Sequence, residues 1–223
     1  DINMDVEEGE FVVIMGSSGS GRSTLLYLLS GLDEINSGEI CFRAEILQNK
    51  KEKERTQFRR KQLGFVFQDH NLIPNLSLLE NILVPAYLGT KNKQAVQQRA
   101  FKLLEKVQLE KLATRLPAQV SGGEQQRCAI LRAIINQPAI LMADEPTGNL
   151  NSAHSEQVLS LFQELHQDKQ SILMVTHDIK SACYGDRVIF LRDGQITDEL
   201  RFQTSNQAER SIYLAAWLAD LGW

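Results

Sequence analysis

The chain has 223 residues, 43% of them hydrophobic, with 24 basic and 28 acidic side chains and a formal net charge of −4. That composition excludes disordered, collagenous and coiled-coil proteins, and the mildly acidic balance argues against nonspecific nucleic-acid binding as the main activity. No apolar run approaches the roughly 20 residues of a membrane span; the longest relevant one is Ile212 to Ala219.

The length suits one large α/β domain or two small ones. Cys41, Cys128 and Cys183 are scattered and odd in number, which is neither a disulfide framework nor a metal site and fits a reducing compartment. No signal peptide is visible, and a chain opening without Met inside an apparent strand is expected to have a trimmed N-terminus. In that opening segment Ile2, Met4 and Val6 alternate with polar residues, the pattern of a half-buried strand. Phe11 to Met15 reads as a fully apolar strand, Gly16 to Gly21 as a glycine- and serine-rich loop, and Leu25, Leu26, Leu28 and Leu29 as the apolar face of the next helix.

Ile40 to Leu47 reads as a hairpin arm, residues 49–62 as a charged helix, and Gly64 to Phe67 as a short strand ending at Gln68. From Leu78 to Ile135 the pattern is mostly helical, with breaks expected at Pro85 and Pro117. Apolar strands follow at Ala139–Ala143 and Ser171–Thr176, separated by a helix carrying Val158, Leu161, Phe162 and Leu165. Val188–Leu191 and Gln195–Leu200 flank Asp193-Gly194, a hairpin signal. Apolar strands alternating with helices imply a parallel sheet covered on both faces, interrupted by an inserted helical block.

Three motifs carry chemistry. Gly16-Ser17-Ser18-Gly19-Ser20-Gly21-Arg22-Ser23-Thr24 matches the phosphate-loop pattern except at the basic position, where lysine is usual. Its glycines let backbone N–H groups converge on phosphate oxygens, the following helix aims its positive end there, and Ser23 is placed for Mg2+. The bland alternative, a flexible strand-to-helix turn, does not require the strand before and the helix after. Arg22 keeps the charge but is bulkier than lysine, so nucleotide binding with impaired hydrolysis is expected. Next, Asp144 and Glu145 close an apolar strand, where parallel sheets bind ligands; Asp144 suits Mg2+ and Glu145 the activation of water. A solvated acidic turn is the alternative, weakened by the phosphate loop upstream. Finally, Ser121-Gly122-Gly123-Glu124-Gln125 precedes an apolar helix. A capping box explains Ser121 and Glu124 without function, but two glycines in a first turn each cost up to about 1 kcal/mol against alanine. They make sense where backbone approaches a phosphate.

Ser121 to Gln125 resembles the signature of ATP-binding cassette (ABC) ATPases, and the remaining motifs stand in that family's order. Gln68 after Phe65-Val66-Phe67 resembles the glutamine loop, Asn149-Leu150-Asn151 the D-loop, and Val175-Thr176-His177-Asp178 the switch histidine. Phe67 to Pro74, Glu80-Asn81 and Pro146 to Leu150 resemble the macrolide-export and lipoprotein-release branch. The resemblance runs to about residue 204. It implies an α/β fold: a P-loop NTPase core with a mostly parallel sheet, an antiparallel β arm and an inserted helical subdomain. The expected division is a single domain over 1–204, with core 1–75 and 136–204, helical subdomain about 76–135, and a helical tail over 205–223.

For function, the resemblance implies ATP and Mg2+ as ligands, with Glu145, His177 and Gln68 catalytic. His177, ambiguous alone between a structural and a catalytic histidine, would contact the γ-phosphate, and Gln68 the metal and attacking water. It also implies a head-to-tail dimer in which Ser121, Gly122, Gly123 and Gln125 close over the partner's nucleotide, and a separate membrane permease that keeps the subunit on the inner face of the plasma membrane. The sequence departs from the family at Arg22, at Asn151 where aspartate is usual, and in the adenine-stacking aromatic, whose place lies upstream of Asp1, so weak base recognition is expected.

The basic run Lys50 to Lys61, interleaved with Glu52 and Glu54, reads as a solvated helix rather than a nucleic-acid or lipid patch. In the tail, Leu214, Leu218 and Leu221 share a helical face, read as helix docking rather than a partner contact. Two alternatives to a transport ATPase are a degenerate nucleotide-binding regulator, motivated by Arg22 and Asn151, and a non-transport cassette acting on DNA or ribosomes. The latter lacks its long coiled coil or second cassette here.

Overall fold

The structure, a computed structural model, describes residues 2–89 and 92–223. In chain order the strands are β1 (Phe11–Met15), β2 (Cys41–Phe42), β3 (Glu45–Ile46), β4 (Leu63–Val66), β5 (Ile140–Asp144), β6 (Ser171–Val175), β7 (Arg187–Arg192) and β8 (Gln195–Arg201). The helices are α1 (Arg22–Ser30), α2 (Glu52–Gln62), α3 (Leu78–Tyr87), α4 (Lys93–Lys106), α5 (Gly122–Ile134), α6 (Ser152–Gln167), the short α7 (Ile179–Ala182) and α8 (Gln207–Asp220). A six-stranded sheet runs in the order β4-β5-β6-β1-β7-β8, parallel except for the β7–β8 hairpin, and β2–β3 form a separate antiparallel pair.

Every residue of β1 is buried. Phe11, Val13 and Met15 enter one core and Val12 and Ile14 the other, which is why the strand reads as an unbroken apolar run. Asp193 and Gly194 both take positive φ (49° and 73°), the two-residue turn whose twist suits a hairpin. Helices α3, α4 and α5 pack on one another, yet their apolar residues share one continuous core with a face of the sheet.

Two expectations fail locally. The segment holding Ile2, Met4 and Val6 is not a strand, although these side chains pack against the second core. Alternation fixed which side chains are covered, but a strand also needs a ladder partner, and the Asp5 carbonyl instead accepts from Arg187 Nη2 at 2.6 Å. Pro85 does not break its helix; it lies inside α3, two residues before the end. The N–H it lacks would have reached only the Asn81 carbonyl, one turn earlier. Pro117 does mark a break, opening a short 3-10 turn over Pro117–Gln119.

The charged helix α2 is a solvated, ion-paired surface: Arg59 meets Glu52 at 2.6 Å, Arg55 meets Glu34 at 3.0 Å, and Phe58 is buried edge-on against Phe42. At the C-terminus α8 docks as expected, burying Leu214 and Leu218 beside α7, with Trp217 edge-on to Phe190.

Candidate functional site

The loop between β1 and α1 is built around positions that exclude side chains. A β carbon on Gly16 would lie 2.2 Å from the Leu191 carbonyl oxygen and 2.6 Å from Ser20 Oγ. Gly19 (φ +81°) and Gly21 (φ +96°) are left-handed, and the space around Gly19 is open. Ser20 N–H donates to the Ser17 carbonyl at 3.0 Å, and the Ser20 carbonyl accepts from Gly194 N–H at 3.0 Å, pinning the loop to the β7–β8 turn. Helix α1 begins at Gly21 with no side-chain cap and no acidic residue in its first turn. Its leading N–H groups therefore remain for an anion. Ser17 and Ser18 are exposed, the Ser20 hydroxyl is buried without a partner, and Thr24 is exposed.

The C-terminal ends of β1, β5 and β6 lie side by side, which brings the separate motifs together. Ser23 Oγ donates to Asp144 Oδ1 at 2.9 Å. Tyr27, one turn further along α1, faces the same carboxylate: burial, then the hydrogen bond and charge of Asp144, push its phenol pKa up. Glu145 is buried, sits at φ +45°, and has its N–H fixed to the Val175 carbonyl at 2.9 Å. A positive φ on a non-glycine residue is strained, and such strain gathers at functional sites. Glu145 Oε1 meets His177 Nδ1 at 2.8 Å, and Oε2 accepts from His177 N–H at 3.4 Å. Asp178 caps α7, accepting from Ser181 N–H at 2.8 Å and its hydroxyl at 2.6 Å; this anchors the residue next to His177.

Arg22 does not extend freely across the loop. Nη2 meets Glu145 Oε1 at 3.1 Å and Nη1 donates to the Ser17 carbonyl at 3.2 Å, while Nε is buried without a partner. The side chains of Arg22 and Glu145 are only 12% and 10% exposed. One carboxylate oxygen is thus shared between a guanidinium and an imidazole.

Gln68 is exposed, and its Nε2 lies 3.1 Å from where a β carbon on Gly148 would be. Its loop is held from two sides. Asn149 donates to Asp69 Oδ1 at 3.0 Å, and Arg132 on α5 reaches the carbonyls of His70 (at 2.8 Å) and Asn71, both residues having positive φ. Burial pulls the His70 imidazole pKa down, against opposing hydrogen bonds to the backbone of Asp69 and Gly122. Asn81, fully buried, pins the following loop: it accepts from Ile73 N–H at 2.7 Å and donates to the carbonyls of Ile73, Leu76 and Ser77.

Residues Ser121, Gly122, Gly123 and Gln125 stand apart from the phosphate loop, although the Gly122 backbone meets His70 beside Gln68. Ser121 and Glu124 form the expected capping box at the start of α5, and Gln125 Nε2 donates to the Val120 carbonyl at 3.3 Å. Helix α5 packs on α3, α4, α6 and β4, whereas α1 packs on β5 and β6. Within one chain the two glycine-bearing motifs belong to different packing units. Asn151 keeps a capping role, accepting from His154 N–H at 2.9 Å at the start of α6. Sequence reading missed Tyr27, whose signal is its i,i+4 spacing from Ser23, and the Arg22–Glu145 contact, for which no local signal exists.

The residues present fit a magnesium nucleotide. Ser23 and Asp144 offer two adjacent hard oxygen donors, and among the described residues no group of three carboxylate, imidazole or thiol side chains could hold a metal ion by themselves. Phosphate oxygens would complete such a site.

Residues 1–148 match the protein family described as ABC transporter. Similar proteins include the ABC transporter ATP-binding protein YxdL of Bacillus subtilis (strain 168), 43% identical over 200 residues, which are 89% of this chain and 78% of that one. Another is an uncharacterized ABC transporter ATP-binding protein, MJ1508, of Methanocaldococcus jannaschii, 46% identical over 197 residues and 88% of each chain. Among solved structures, the ATP-binding cassette MJ0796 in a dimeric post-hydrolysis state bound to ADP and Pi is 40% identical, with a TM-score of 0.84 over 92% of this chain and 90% of that one. The cbiO1 structure from Clostridium perfringens, part of the ABC transporter complex cbiONQ, is 26% identical, with a TM-score of 0.81 over 90% and 80%.

Proposed function

Because this chain belongs to the ABC transporter family of ATP-binding subunits, we propose that it hydrolyses ATP as a head-to-tail dimer and drives a separate membrane permease of the macrolide-export or lipoprotein-release type. One observation carries the catalytic part: the phosphate loop, Asp144, Glu145 and His177 converge at the C-terminal ends of β1, β5 and β6. The dimeric MJ0796 cassette, with ADP and Pi, supports the same assembly here. Separate packing of Ser121–Gln125 also supports it, since that motif then has a nucleotide to meet only across an interface. The cbiO1 relative belongs to a transporter complex. Among the described residues no helix is long and apolar enough to cross a membrane, so a permease partner would supply the span.

In this reading the N–H groups of Gly16 to Thr24 receive the phosphates, and Ser23, Asp144 and Gln68 would hold Mg2+. Mg2+ bound there would neutralise phosphate charge. Glu145 takes the proton of the attacking water, and His177, fixed by two contacts to that carboxylate, faces the phosphate being released. Residues Ser121, Gly122, Gly123 and Gln125 close over the partner subunit's nucleotide. The helical unit of about 76–135 passes the closure to the permease, with Asn81 and Arg132 keeping the Gln68 loop in a fixed shape.

A second reading, nucleotide binding with little turnover, is favoured by one observation. Arg22 holds the carboxylate oxygen that the water proton needs. Purifying the chain from membranes with whatever protein accompanies it, and assaying ATP hydrolysis in that complex, tests both. A co-purifying permease with ATP-dependent phosphate release supports transport coupling. Tight ATP binding without phosphate release supports the second reading, and the absence of any membrane protein overturns the permease role.

A further inference from the structure

The two glycines of the signature are not equivalent. A β carbon on Gly122 would meet only Leu150 Cδ2 at 3.6 Å, an ordinary contact. On Gly123 it would lie 2.6 Å from His154 Cγ, 2.8 Å from its Cβ and 3.0 Å from its Cδ2, well within van der Waals contact. Neither glycine has a positive φ, so backbone freedom does not explain residue 123; the ring of His154 does. The His154 β carbon cannot slide away, because it stands on the first turn of α6, where His154 N–H is fixed to the Asn151 carboxamide at 2.9 Å. One turn further on, Arg127 of α5 donates to Gln157 of α6. Glu124 and Arg127 are charged groups beside this contact; burial works to raise the Glu124 carboxyl, but the Ser121 hydrogen bonds, with Arg127 and His154, hold it below the ordinary range.

We propose that His154 is a positioning residue for the signature: by filling the space left bare at Gly123, it locks the N-terminus of α5 to residues 149–151 so that both meet the partner subunit as one body. This rests on the dimer proposed above. Gly122 and the backbone of Gly123 are left for the partner's nucleotide, while the bare β-carbon side of Gly123 serves the approach of helix to helix.

The test uses the full chain carrying Glu145→Gln, which removes the proton acceptor so that ATP persists. ATP-induced dimerisation is followed by sedimentation, and nucleotide binding to single subunits by a fluorescent ATP analogue at low protein concentration. Gly123→Ala should raise the ATP concentration for half-dimerisation about tenfold, the scale of overpacking a close contact. The same substitution added to His154→Gly should raise it by no more than about twofold, because both the ring and the β carbon at 2.8 Å are gone. His154→Ala alone should raise the midpoint severalfold, His154→Phe should restore it by keeping a flat ring on the same Cγ, and single-subunit nucleotide binding should not change. Equal effects of Gly123→Ala in both backgrounds, or no effect of His154→Ala, overturn the inference. A parent chain that never dimerises with ATP overturns the proposed function instead. The same four-variant cycle read in melting temperature then decides the packing: non-additive shifts sustain it, and additive shifts reject it.

Discussion

Replacing Arg22 by lysine should accelerate ATP hydrolysis. In the structure Arg22 Nη2 is 3.1 Å from Glu145 Oε1, with both side chains about nine-tenths buried, and its second arm is held by the Ser17 carbonyl. A hydrogen bond involving a charged group contributes about 1.5–3 kcal/mol net. Such partial burial keeps solvent from erasing the interaction, as happens in exposed pairs. In the proposed mechanism, releasing Oε1 to a water proton must offset that amount before chemistry begins, which at about 1.4 kcal/mol per decade corresponds to about 10- to 100-fold in rate. Lysine is a compact point charge without the planar fork, so it cannot hold Glu145 and the Ser17 carbonyl together. Steady-state phosphate release with saturating ATP and Mg2+ should therefore rise by about 10- to 100-fold in Arg22→Lys, with fluorescent-nucleotide affinity changing far less. Turnover within about twofold of the parent, or lower, would refute the idea that this contact restrains the base.

Asn81→Ala should lower the unfolding free energy by about 2–4 kcal/mol in urea denaturation, since Ile73 N–H and several carbonyls lose a fully buried partner; a loss under about 0.5 kcal/mol would mean the loop is held otherwise. Arg187 is 2% exposed and pairs with buried Glu10 at 3.0 Å. Arg187→Ala should cost about 3–5 kcal/mol, and Arg187→Met with Glu10→Leu should recover most of it; strictly additive losses would contradict a pair. Burial pushes the Cys128 thiol up to about 12 and the Cys183 thiol up to about 11, whereas Cys41 is exposed. Alkylation of the native chain near pH 8 should therefore label Cys41 alone, and denatured chain all three thiols. Native labelling of a second thiol would show that a buried site opens.

What could be read from the sequence follows physical range. β1, β5 and β6 were legible because burial on both faces forces unbroken apolar runs, and the β7–β8 turn because Asp193-Gly194 suits two left-handed residues. Gly16–Thr24, Asp144-Glu145 and His177 were visible as motifs at strand ends, and the structure brings them together. The Ile2–Val6 segment misled because alternation reports coverage of side chains, while a strand depends on a distant ladder partner. Pro85 misled because one interior proline costs a single helix hydrogen bond, which the burial of Leu78, Ile82 and Ala86 on α3 outweighs. Arg22 stood out as a departure, yet its partner lies 123 residues away, and no local pattern encodes that meeting. Gly123 was marked as unusual, but the imidazole that requires it belongs to another helix.

Helix α5 also acts mechanically. Gly122 begins it, with Gly123 against His154 of α6, and Arg132, ten residues after Gly122, grips the carbonyls of the loop that carries Gln68. At 1.5 Å per residue the two attachments are about 15 Å apart on one stiff rod. A tilt of about 10° pivoting at one attachment would sweep the other through about 2.5 Å, enough to break a hydrogen bond. The two ends therefore share a single degree of freedom, and a disturbance at either is felt as strain at the other.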